Sequence, residues 1–294
     1  MRIGVIVPQG WLGDFDGWEP SRAWARVVEV ARQAEGLGFD SVWVVDHLHT
    51  SPELKDEIMF ESFTALTALA TQTSRVQIGQ LVMAAAWRNP ALVAKMISTL
   101  DVVSGGRVVL GMGAGWKRDE WEAYGFGFPT DKERLSILRD HLAVIEAMLG
   151  PGRAYVETPS ITVREAVNIP VGLQKPRVPV LVGGNGPIVT WRLAARYADE
   201  LNLDGLSPEQ VAEALPVIAA RCEEIGRDPT TLPVSNHIQA KQSQVPGDPR
   251  RRLLAAHAEL GLHRVMLRIP SSATDDAAFE ALAEDAMAAG LEIG

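Results

Sequence analysis

Short apolar runs and amphipathic stretches alternate along this 294-residue chain almost from its first residue. The runs "IGVIV" (3–7), "SVWVVD" (41–46), "VQIGQLVM" (76–83) and "RVVLGMGAG" (107–115) read as buried strands, rich in β-branched residues. "VPVLVGG" (178–184), "DELNLDG" (199–205), "TLPVSNHIQ" (231–239) and "HRVMLRIP" (263–270) continue the series. Helical patterns separate them, over 21–37, 60–73, about 90–104 and from the fourth strand through Leu149. Asn89-Pro90 marks one start, the Asn as cap and the Pro in the first turn. From 150 to 175 Pro, Gly and β-branched residues break the pattern, which predicts an insertion outside the core repeat. Strands that are continuously apolar, without alternation, imply a parallel sheet covered on both faces. Eight such units predict a (β/α)8 TIM barrel in one domain over 1–294, with a doubly wound open sheet as the alternative.

Composition adds exclusions. The one cysteine, Cys222, sits in the body of a predicted helix and reads as a buried structural thiol; it forms no intrachain disulfide, which fits a reducing cytosol. A net charge of −9 argues against a nucleic-acid surface, and the one basic cluster, Arg250-Arg251-Arg252, reads as a solvated helix face. The first apolar run is too short for a signal peptide, and no run of about 18 apolar residues marks a membrane span. The chain reads as a soluble cytoplasmic protein.

A parallel barrel gathers its chemistry at the C-terminal ends of its strands. There the sequence offers Asp46-His47, Leu81-Val82-Met83, Gly113-Ala114-Gly115, Gly183-Gly184-Asn185-Gly186 and His237. His47-x-His49 has the period-two spacing of a metal pair, but later strand ends offer only His237 as a further ligand, so no metal is predicted. His47, beside a carboxylate, suits proton transfer, whereas His49 shapes the loop beyond. "VLVGGNGP" places glycines before a predicted helix start, which suits a phosphate or a tight turn without a ligand. "GMGAGW" lacks the spacing of a dinucleotide fingerprint, and its glycines leave room for a flat ring. Trp116, Glu120 and Tyr124 share one helical face that either lines a ligand or packs on the barrel. Trp11, Trp87 and Trp116 are candidate aromatic walls for a substrate.

On the stretches "AEGLGFDSVWVVDHL" (34–48), "TSRVQIGQLVMAAAWRNPALVAKMISTLDVVSGGRVVLGMGAGW" (73–116) and "NIPVGLQKPRVPVLVGGNGPIVTWRLAARYADELN" (168–202), the chain resembles the bacterial-luciferase-like oxidoreductases, especially the branch using coenzyme F420. The resemblance implies a homodimeric barrel with the cofactor's tricycle in the mouth and its tail phosphate near the helix after the fifth strand. It implies that Asp46 and His47 lie at the reaction centre, His47 as proton donor and Asp46 positioning it or the ring. Leu81–Val82, with Met83 beyond, would form a non-prolyl cis peptide against the ring's back face. Ala114 and Gly115 would meet the ring edge, and Gly183, Gly184, Asn185 and Gly186 the phosphate. Sugar-phosphate dehydrogenases similar to this chain carry glutamate at the position of Trp116, which points here to reduction of C=C or C=N over alcohol oxidation. The implied activity is hydride transfer between F420 and a small organic substrate. An FMNH2-dependent monooxygenase on the same barrel, with FMN as cofactor, is the alternative, and a non-catalytic flavin-binding accessory subunit the alternative of another class. Substrate specificity is expected in the loops 10–20 and 48–60 and in the insertion.

Overall fold

The computed structural model describes residues 1–239 and 241–294. Its strands are β1 (Arg2–Ile6), β2 (Ser41–Val44), β3 (Gln77–Gln80), β4 (Met83–Ala84), β5 (Val108–Gly113), β6 (Arg153–Glu157), β7 (Thr162–Val167), β8 (Val180–Gly183), β9 (Glu200–Asp204), β10 (Val234–Ile238) and β11 (Arg264–Arg268). Its helices are α1 (Pro20–Gly36), α2 (Ser62–Gln72), α3 (Pro90–Ser104), α4 (Arg118–Ala123), α5 (Asp131–Leu149), α6 (Thr190–Tyr197), α7 (Pro208–Glu223), α8 (Asp248–Glu259) and α9 (Ala277–Ala288).

Eight parallel strands pair in the order β3-β2-β1-β11-β10-β9-β8-β5, and the pairing of β3 with β5 closes them into the expected barrel. β4 is a two-residue extension of the third strand, displaced past Leu81–Val82 onto β5, with Met83 opposite Met112. The barrel is filled, not hollow. Trp43 occupies its centre, and the glycines of neighbouring strands make the space: a Cβ at Gly4 would lie 2.7 Å from the indole nitrogen, and one at Gly79 would lie 2.5 Å from the ring. Beneath Trp43 the Arg264 guanidinium plugs the N-terminal end, 2.9 Å from Asp40 and 3.2 Å from Glu200. Burial pushes the Glu200 carboxyl above its usual range, with Arg264 opposing. With that end closed, the opposite end is left for function.

Several local expectations change. Asn89 caps α3 as read, accepting from the Ala91 and Leu92 amides, an interaction worth ~1 kcal/mol. The helical stretch after β5 is two helices, because Gly125 and Gly127 take positive φ and Thr130 restarts the chain with a capping box on Glu133. The insertion is an antiparallel hairpin, β6 with β7, followed by a segment moored to α3, where Asp101 accepts the Leu173 and Gln174 amides. Arg250 corrects the reading of the triple-arginine run: it is 1% exposed, donates to the Ser243 carbonyl and lies 3.3 Å from Asp285 of α9. Cys222 is buried in α7 as expected. No helix among the described residues is long and apolar enough to cross a membrane.

Candidate active site

The C-terminal strand ends enclose a cavity of about 850 Å³. Its geometry begins with Gln9, past β1, whose side-chain amide brackets Val45 by accepting its N–H (2.9 Å) and donating to its carbonyl (3.0 Å). That clamp fixes the chain where β2 delivers Asp46 and His47. The His47 ring stacks on Trp11 with centroids 4.2 Å apart and planes 4° from parallel. Its Nδ1 lies 2.7 Å from Oε2 of Glu120, a residue of α4 that is wholly buried. The other carboxylate oxygen accepts the amides of Leu48 (3.0 Å) and His49 (3.4 Å), so Glu120 holds both the imidazole and the loop that carries it. An ionised carboxylate only accepts, which assigns the Nδ1 proton to His47 and leaves Nε2 without a protein partner among the described residues.

Thus the stripe of Trp116, Glu120 and Tyr124 divides its labour. Glu120 orients His47, the Tyr124 hydroxyl donates to the Leu48 carbonyl at 2.9 Å, and Trp116, 65% exposed, stands edge-on to His47 with centroids 5.9 Å apart. Asp46 does not hold His47, the first of the two roles expected of it. Its carboxylate receives the Arg88 guanidinium in a fork (2.7 and 2.9 Å), the Ser62 hydroxyl (2.6 Å) and the Ala84 amide (3.0 Å). These bonds tie the end of β2 to α2 and to the displaced strand β4. Burial works against charge on Arg88, but Asp46 and Glu61 outweigh it and hold its pKa above the ordinary arginine value.

The Leu81–Val82 peptide is cis. The Val82 side chain presses between two strands at their glycines: a Cβ at Gly113 would stand 2.6 Å from it, and one at Gly183 would stand 2.8 Å away. Gly111 likewise yields to the Gln80 carbonyl, which a Cβ would approach to 1.9 Å. Gly111 and Gly113, read as room for a ring, and Gly183, read as part of a phosphate site, also make room for the protein's own bulge. Ala114 and Gly115 line the cavity beside it, and Gly115 (φ +77°) leaves space for Trp121, whose ring a Cβ would meet at 2.7 Å. Met83 is not part of the wall: it is 1% exposed and packs in the core between barrel and helices.

At the end of β8, Gly183 and Gly184 line the cavity with Thr190. The helix starts at Thr190, after a turn over 187–189, and not directly after Asn185. A Cβ at Gly186 would stand 2.7 Å from the Thr190 hydroxyl, so that glycine serves the tight turn. Asn185 accepts the Asp204 amide (2.9 Å) and donates to its carbonyl (2.7 Å), joining this loop to the end of β9. Trp11 and Trp87 line the cavity. His49 bonds the Thr50 carbonyl at 2.9 Å and shapes its loop. His237 pairs with Asp204 at 3.0 Å, and among the described residues no group of three or more His, Cys, Asp or Glu is placed to hold a metal.

Reading from sequence missed Gln9 as a clamp, Arg88, Thr190, the Asp204–His237 pair in the cavity wall, and Arg268 of that wall with its partner Asp14. Arg88 had one signal, a cation just before the Asn89 cap, but its target is distant in sequence.

The chain is 27% identical over 216 residues to a 5,10-methylenetetrahydromethanopterin reductase of Methanolobus tindarius, covering 74% of this chain and 61% of that protein. It is 34% identical over 188 residues to an F420-dependent glucose-6-phosphate dehydrogenase of Microbacterium testaceum, covering 62% and 53%. The chain therefore spans between half and two thirds of the length of these curated relatives. An F420-dependent secondary alcohol dehydrogenase, solved with an F420-acetone adduct, superposes with a TM-score of 0.79 at 18% identity over 96% of this chain and 98% of that one, a likeness of fold. The family model described as "Luciferase-like monooxygenase" matches residues 1–284, and the chain belongs to that family.

Proposed function

We propose that this protein is an oxidoreductase that binds the reduced deazaflavin F420 in the barrel mouth and reduces a C=C or C=N bond of a small organic substrate. One observation carries the reading: the His47 imidazole, oriented by the buried Glu120 carboxylate, opens onto a cavity floored by the Val82 bulge and bordered by the glycine-rich end of β8. The residues present suit such a cofactor. Val82 with Leu81 gives an apolar shelf for a flat ring, and Ala114 and Gly115 bring backbone without bulk to its edge. Gly183, Gly184, the Thr190 hydroxyl and the first turn of α6 suit the tail phosphate, with Asn185 and Gly186 shaping that loop. When bound, the reduced cofactor supplies a hydride.

The acceptor gains one hydride and one proton, so the π bond becomes C–H beside C–H or N–H. His47 gives the proton from Nε2 and regains one from solvent, while Nδ1 stays committed to Glu120. Trp11 holds the imidazole by stacking, and Trp11, Trp87 and Trp116 shield the reacting atoms from water. Two measurements test this. Fluorescence titration of the apoprotein is expected to show micromolar binding of F420 and none of FMN; the reverse result overturns the cofactor assignment in favour of a flavin monooxygenase. His47→Ala is expected to lower turnover by ~10²-fold or more with F420 affinity unchanged, the scale of a lost general acid. An unchanged rate removes His47 from the chemistry.

A further inference from the structure

The wall facing His47 carries a carboxylate that nothing in that mechanism uses. In the closed sheet β2 and β9 stand diametrically opposite, with three strands between them in either direction, so Asp204 at the end of β9 looks across the mouth toward the His47 wall. Two donors converge on one oxygen of Asp204: His237 Nδ1 at 3.0 Å and Gln239 Nε2 at 2.6 Å, both on Oδ1. Oδ2 has no partner among the described residues, and the side chain is 54% exposed. The backbone is fixed on both sides by the Asn185 amide, and the Gly205 amide donates to the His237 carbonyl at 2.9 Å. Burial disfavours the charge, but the bonds from His237 and Gln239 outweigh it and hold the carboxyl below the usual range.

The other charges of the cavity wall are spoken for. Lys117 is paired with Asp119, Arg268 with Asp14, and Asp46 with Arg88, while Glu120 is consumed by His47 and two amides. Among the described lining residues, Asp204 is the carboxylate with an open oxygen and no lysine or arginine partner. An anionic substrate would meet this carboxylate with no unpaired lysine or arginine among the described lining residues to receive it, whereas a protonated nitrogen would supply both the missing hydrogen bond and the missing charge. The exposed indole of Trp116 attracts a cation on the His47 side.

We propose that Asp204, held open by His237 and Gln239, is the recognition point for a cationic nitrogen, so that the substrate is a protonated imine and the product an amine. This rests on the proposed reduction and selects C=N within it. The proton that His47 gives in the proposed reduction is the one the imine nitrogen carries: the nitrogen takes it from Nε2, hydride adds to the imine carbon, the C=N π pair passes to nitrogen and the deazaflavin is oxidised, so one hydride and one proton are gained in all. Asp204 binds the N–H and takes no part in electron transfer.

The test needs no cofactor, because Trp11, Trp87, Trp116 and Trp121 lie in the cavity wall and report by their own fluorescence. Apoprotein is titrated with 2-methylpyrrolidine, protonated at pH 7, with the near-isosteric neutral ether 2-methyltetrahydrofuran, and with cyclopentanecarboxylate. Saturable quenching by the amine is expected, on the order of tenfold tighter than by the ether, as for a hydrogen bond between charged groups against a neutral one. Asp204→Asn is expected to reduce that preference below about threefold. Equal binding of amine and ether, stronger binding of the carboxylate, or a preference that survives Asp204→Asn overturns the proposal. If that variant does not fold, the wild type decides: raising NaCl from 0.05 to 0.5 M is expected to weaken the amine severalfold and leave the ether unchanged, and equal salt response overturns it. Amine preference without F420 binding sinks the cofactor reading alone; F420 binding without amine preference sinks this one alone.

Discussion

Replacing Glu120 with glutamine tests the centre of the site, because the change keeps shape and removes one acceptor. In the wild type, Oε2 faces the His47 Nδ1–H and Oε1 faces the Leu48 and His49 amides, so every neighbour of this carboxylate is a donor. A glutamine has one oxygen and one NH2. If its oxygen keeps the two amides, its NH2 donates to Nδ1 and forces the His47 proton to Nε2, inverting the tautomer. If its oxygen keeps Nδ1–H, its NH2 abuts two amide hydrogens in a site with no solvent access. The second arrangement leaves buried donors unpaired at ~1–3 kcal/mol, so the first is favoured. With Nδ1 turned from donor to acceptor, His47 can no longer carry both protons without losing its partner, and its function as acid fails. A loss of ~10²-fold in kcat, equivalent to about 2.7 kcal/mol in the barrier, is the expected scale. KM and F420 affinity should move little, because Glu120 touches neither the Val82 shelf nor the end of β8. Steady-state kinetics on F420H2 oxidation reads the split, and the same substitution in a His47→Ala background supplies the control. In that background Glu120→Gln should have no further effect on kcat. A kcat within threefold of wild type, or an equal loss in both backgrounds, refutes the assignment of Glu120 as the residue that positions His47.

Two further outcomes follow from packing and from titration. Gly113→Ala places a Cβ 2.6 Å from Val82 and should cost ~1–3 kcal/mol by overpacking, seen as a lower Tm and weaker F420 binding; Val82→Ala in the same chain should restore stability, and a Tm that Gly113→Ala leaves unchanged would mean the glycine is not required. His263 has its pKa pushed down to about 4 by burial and by the adjacent guanidinium groups of Arg264 and Arg2, so the folded state favours the neutral ring. Its contribution is therefore present above the ordinary histidine range near 6.5 and is lost as pH falls toward 4, by up to about 3 kcal/mol. Urea denaturation of wild type and His263→Gln at several pH values between 7 and 4 should show the wild type losing more stability on acidification; parallel curves would contradict it.

The barrel was legible because its signal is local. Each buried strand is an apolar run bounded by turn residues, and all eight expected runs contain the observed strand or overlap it within a residue or two at the start. The partners within the site were not legible, and the reason lies in strand geometry. Successive residues at a strand end point to opposite faces, so when His47 turns into the mouth its neighbour Asp46, though it borders the cavity, gives its carboxylate to Arg88 and Ser62 on the helix side. Adjacency in sequence, which suggested an Asp46–His47 pair, is for this reason a sign against the pair. The true partner of His47 must come from another element, and Glu120 lies 73 residues away. The same logic governs Arg250: consecutive helix positions are about 100° apart, so three arginines in a row fan over the helix, and the one turned inward finds Asp285. What the glycines pack against was hidden for a related cause. Gly113 and Gly183 do border the cavity, yet what each lacks is the Cβ that Val82 would strike, a contact across strands that no linear spacing encodes. A motif therefore showed where the chain closes upon itself, and only the fold showed what it closes upon; for His47 that is a carboxylate on the helical stripe after the fifth strand, where polar and apolar positions had left two readings open.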